Sequence, residues 1–63
     1  MSRAQLERAE ERVQQKWYDL VMAEQRGTPT PTLERLYNAY MLAVEEYNHC
    51  REAAQRQQQQ DAA

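Results

Sequence analysis

The sequence predicts an all-α chain folded as an antiparallel two-helix hairpin, with two such hairpins dimerising into a four-helix bundle. Three observations carry this expectation. Apolar residues recur at helical spacing in two separate stretches, a short segment of Gly, Thr and Pro lies between them, and the two stripes match in size when folded on one another.

The first helix is expected over residues 2–26. Ser2 is a candidate N-cap, although Gln5 in place of an acid leaves the capping box incomplete. Leu6, Ala9, Val13, Trp17 and Leu20, with Val21 at the edge, fall on one stripe at a spacing near 3.6. Glu7, Arg8, Glu11, Arg12, Gln14 and Gln15 make the other faces polar. Gly27, the only glycine, follows Arg26 where a left-handed C-cap residue is expected.

Residues 27–30 form the turn. Pro29 and Pro31 each disfavour helical geometry in the threonine before them, and Pro31 suits the first helical position with Thr30 as its cap. A linker this short between two long helices favours antiparallel packing.

The second helix is expected over residues 31–57 and is the stronger pattern. Leu33, Tyr37, Tyr40, Val44, Tyr47, Arg51 and Ala54 recur at alternating steps of four and three, a heptad seam, and Leu36, Ala43 and Cys50 widen it. No apolar residue pins the chain beyond Ala54, so residues 1–57 are read as the hairpin and residues 58–63 as a polar, glutamine-rich tail that frays from about Gln57.

Folded at the turn, residues that face each other have numbers summing to about 57. Trp17 then lies by Tyr40, Val13 by Val44, Ala9 or Glu10 by Tyr47, Leu20 and Val21 by Tyr37 and Leu36, and Leu6 by Cys50 and Arg51. The expected interior is Leu6, Val13, Trp17, Leu20, Val21, Leu33, Leu36, Tyr37, Tyr40, Val44 and Tyr47. Glu24 is placed to reach Arg35 or a threonine hydroxyl, and Arg51 to reach Glu7 or Glu10.

Composition bounds the function. Eight Leu and Val residues, with no Ile or Phe, are a thin supply for 63 residues, yet a net charge of −2, four Tyr, one Trp and good helix formers nearly throughout separate the chain from charge-extended disordered segments. A chain this short buries only about 60 % of its unfolded surface, so its own core is marginal. The pI near 5.3 supplies no general field for nucleic acid or an anionic membrane. One cysteine forms no internal disulfide, no apolar run approaches the roughly 18 residues that cross a bilayer, and the first ten residues lack the apolar core of a signal peptide; a reducing, cytoplasmic setting is the expectation.

Little in the chain suggests chemistry. His49 and Cys50 point about 100° apart on a helix and do not chelate one metal by themselves, and there is no second His. Glu45 and Glu46 are expected together on an outer face with no cleft beside them. No nucleophile elbow, phosphate loop or metal motif is present, so neither catalysis, a cofactor, a metal nor a small-molecule substrate is expected.

Association is expected instead. Tyr18 and Met22 on the first helix, and Met41 and Leu42 on the second, lie off the seam and are exposed on a bare hairpin. They are the expected interaction surface, for a second copy first and for another protein second. The architecture resembles that of the plasmid copy-number regulator Rop, a short antiparallel hairpin that dimerises; the likeness is one of shape. It frames the alternative that Arg8, Arg12 and Lys16, an i, i+4, i+8 ridge that a symmetric dimer doubles, bind RNA or DNA.

Overall fold

The computed structural model describes residues 3–62, and the side chains of residues 3–56. Ser2, and the side chains of the glutamine run, fall outside the described residues. The chain is all-α: α1 spans Arg3–Gln25 and α2 spans Thr30–Ala62, packed against each other as an αα-hairpin. Its Cα atoms extend 52 × 16 × 11 Å, a flat rod one helix layer thick.

The turn follows from its local chemistry. Gly27 adopts φ +74°, which only a residue without Cβ enters freely. Its N–H donates to the Glu24 carbonyl and the Thr28 N–H donates to the Ala23 carbonyl, each at 3.1 Å. These two bonds are the Schellman pair, which satisfies the last carbonyls of α1. α2 opens one residue earlier than the proline pattern suggests. The Pro29 carbonyl accepts from the N–H groups of Thr32 and Leu33, each at 3.1 Å, so Pro29 takes the cap position and Pro31 the second helical one. A proline is still tolerated there, because N–H groups of the first turn have no intrahelical acceptor. At its other end α2 runs to Ala62, beyond Gln57, where the sequence predicts fraying, and well past Ala54, where the apolar pattern stops. Gln and Ala carry helix propensity that does not depend on packing.

Two contacts fix the register. The rings of Trp17 and Tyr40 lie 5.3 Å apart between centroids, tilted by 50°. Arg12 Nη1 donates to both Glu46 carboxylate oxygens at 2.9 Å. The numbers in these pairs sum to 57 and 58, the register expected from matching large residues against small.

The interior differs from the expected one. The buried apolar residues are Ala9, Leu20, Ala23, Ala43 and Cys50. Leu6, Val13, Val21, Leu33, Leu36, Tyr40, Val44 and Tyr47 are half-buried. Trp17 and Tyr37, expected inside, are each 53 % exposed. The reason lies in small residues along the contact line: Ala9 and Ala23 stand fourteen positions apart on α1, and Ala43 and Cys50 seven apart on α2. Contact distance between helices is set by the side chains at the contact. The backbones meet where the residues are small, and the bulky seam residues fan out to one side.

Candidate functional site

The two broad faces of the hairpin have different chemistry. At about 100° per residue, Trp17, Leu20 and Glu24 lie together on one flank of α1, and Leu33, Tyr37, Tyr40, Val44 and Arg51 on the facing flank of α2. A hollow towards the turn, lined by Leu20, Glu24, Thr30, Leu33, Glu34, Tyr37 and Asn38, runs along this aromatic face. Beyond it the Trp17–Tyr40 ring pair sits half in water. Tyr40 is half-buried and Met41, at its edge, is 38 % exposed.

The opposite face is polar and lined by alanine. It carries the Arg12–Glu46 ion pair at 2.9 Å, flanked by Gln5, Arg8, Ala9 and Cys50. Glu46 is therefore turned towards α1 and not, as the sequence pattern suggests, onto an outer face. It lies three residues after Ala43 and four before Cys50, which places it beside the small-residue row. Near the turn this face has a second hollow lined by Tyr18, Asp19, Met22, Ala23, Arg26, Thr28, Thr32 and Leu36.

Of the four expected interaction residues, Tyr18 is 60 % exposed, Leu42 is 66 % exposed and Met41 belongs to the margin of the aromatic face. Met22 is half-buried rather than exposed, because it lines the hollow beside Ala23 and Leu36. These residues form no single patch. Tyr18 lines the hollow near the turn on the polar face, whereas Leu42 lies on the flank of α2 opposite to Tyr37, about 140° round the helix from it. Trp17 and Tyr37, each 53 % exposed, add apolar surface on the aromatic face. The signal for it was present in the Ala9–Ala23 and Ala43–Cys50 spacings, which mark where the helices touch and leave the aromatic seam as the open side.

The basic ridge is partly committed elsewhere. Arg12 is held by Glu46, Arg8 Nε donates to the Ala4 carbonyl at 3.4 Å, and Lys16 is half-buried, the usual state of a lysine whose stem covers apolar surface. Arg8, Glu11, Arg12, Gln15 and Lys16 line a shallow groove in which one acid already stands among the cations. Neighbouring polar contacts are local: Gln15 Nε2 donates to Asp19 Oδ1 at 3.0 Å, and Arg3 pairs with Glu7 at 3.4 Å. Neither Glu24 nor Arg51 has an ion-pair partner among the described residues.

Cys50 is a free, buried thiol beside Ala9, where it packs as a small hydrophobe. Among the described residues no three His, Cys, Asp or Glu side chains gather in a way that could hold a metal ion, and no helix is long and apolar enough to cross a membrane.

The chain matches no protein-family model, no curated protein and no solved structure. The likeness to Rop rests on the count and connection of the helices alone.

Proposed function

We propose that this chain is a non-enzymatic helical association module that works by pairing with a second copy of itself, forming a four-helix bundle. One observation carries the reading. Among the described residues the buried apolar ones are three alanines, one leucine and a cysteine, while Trp17, Tyr37 and Met41 on the aromatic face remain substantially in water. Fully burying a large apolar side chain contributes about 1.5–3 kcal/mol, so covering these residues further adds free energy that the single hairpin leaves unused. A single layer of two helices is also the situation in which oligomerisation usually completes a core.

The nucleic-acid alternative draws no support from the charges. Arg12 is neutralised by Glu46, and the chain as a whole carries a net charge of −2.

The experiment is a comparison of solution mass between the native chain and two variants, with circular dichroism on the same samples. Tyr37→Glu places a charge on the aromatic face and shifts the population to monomer; Tyr18→Glu, beside the hollow of the opposite face, leaves the mass unchanged. A chain that is monomeric before substitution, and that retains a different protein or a nucleic acid instead, overturns the reading.

A further inference from the structure

We infer that the second copy docks on the aromatic face in the antiparallel sense, turn end against open end, and that Glu24 of one copy pairs with Arg51 of the other at both ends of the bundle. This rests on the self-association proposed above and specifies its geometry. The face is large enough: α1, with 23 residues, is about 35 Å long, and the hairpin is 16 Å wide, which for two copies comes to on the order of 1,000 Å² of covered surface, the threshold of a specific interface.

The charges select the orientation. Glu24 continues the row of Trp17 at a spacing of seven, and Arg51 continues that of Tyr37 and Val44 at the same spacing. Both are exposed, both lie by helical phase on the flank that carries the aromatic residues, and neither has an ion-pair partner among the described residues. They stand at opposite ends of it. From the level of the Trp17–Tyr40 pair, Glu24 lies about 10 Å towards the turn and Arg51 about 16 Å towards the open end. A two-fold axis across the helices, about 3 Å to the open side of that level, carries each Glu24 onto the level of the other copy's Arg51.

The same axis sets Trp17 of one copy over the Val13 and Val44 level of the other, so the largest side chain meets two half-buried valines. The alternative two-fold axis, along the helices, places turn against turn. It brings the two Glu24 side chains to one level and the two Arg51 side chains to another, like charges gathered at each end, which disfavours it.

The test is a charge exchange read by sedimentation equilibrium over a concentration series at low and moderate salt, with helix content followed by circular dichroism. E24R and R51E each turn two attractions into two repulsions and weaken the dimer about tenfold, more at low salt than at moderate salt. The double exchange E24R with R51E restores the native affinity. Dimerisation that is indifferent to both single exchanges, or a double exchange that is weaker than either single one, overturns the antiparallel pairing and leaves self-association standing. A native chain that stays monomeric throughout the series overturns both.

Discussion

Trp17 and Tyr40 touch across the hairpin with ring centroids 5.3 Å apart and planes inclined by 50°, yet Trp17 keeps 53 % of its surface in water. The inclined planes at this separation avoid the face-to-face sandwich that the ring quadrupoles disfavour. The pair therefore holds the register without sealing the core. A double-mutant cycle with Trp17→Leu and Tyr40→Leu, measured by urea denaturation at one fixed chain concentration, is expected to return a coupling of about 0.5–1.5 kcal/mol. A coupling near zero would show that the rings are neighbours without mutual stabilisation.

The ion pair between Arg12 and Glu46 is short, at 2.9 Å, but its side chains are 55 % and 48 % exposed. Solvent screening limits such a pair to about 0.2–1 kcal/mol. Arg12→Gln and Glu46→Gln are each expected to cost less than about 1 kcal/mol, with the loss shrinking as salt rises. Stability that is insensitive to salt in the native chain and both variants alike would remove the pair from the account.

Ala43 and Leu42 are adjacent but occupy opposite situations, 4 % and 66 % exposed. Ala43→Leu forces a branched side chain into the line where the helices meet and is expected to cost about 1–3 kcal/mol. Leu42→Gln removes an apolar group from water, and its effect on unfolding is expected to stay within about 0.5 kcal/mol. Thermal melts of the two variants at equal concentration check this, and equal effects would mean that the small-residue row is not the contact.

Gly27 has open space where a Cβ would stand, so only its φ of +74° resists substitution. Gly27→Ala is expected to destabilise by about 1 kcal/mol through left-handed strain, and Gly27→Asn by less. If calorimetry finds Gly27→Ala as stable as the native chain, the Schellman geometry at the turn is not what ends α1.

The hairpin itself was legible in the sequence because its signals are local. Spacing places both helices, Gly27 ends the first, and two prolines confine the turn to a few residues. Even the register was readable, since the Trp17–Tyr40 pair falls where matched stripes put it. What periodicity does not carry is the direction in which a stripe leans. Residues on a seam as wide as Leu36, Tyr37, Tyr40 and Val44 cannot all enter one contact line, and the choice is made by volume: Ala9, Ala23, Ala43 and Cys50 let the backbones approach, which turns Trp17 and Tyr37 outwards. The same tilt draws Met22 partly in and faces Glu46 to Arg12, both misplaced by a reading that centred the helices on their largest residues.

The central claim is that the open aromatic face is covered by a second copy. Sedimentation equilibrium of the native chain, from about 1 μM to about 1 mM, tests it most directly, since even a weak association of millimolar to micromolar dissociation constant would register across that range. The account predicts a mass rising towards twice the 7.5 kDa of one chain. A single species of 7.5 kDa at every concentration, with full helix content, would contradict it.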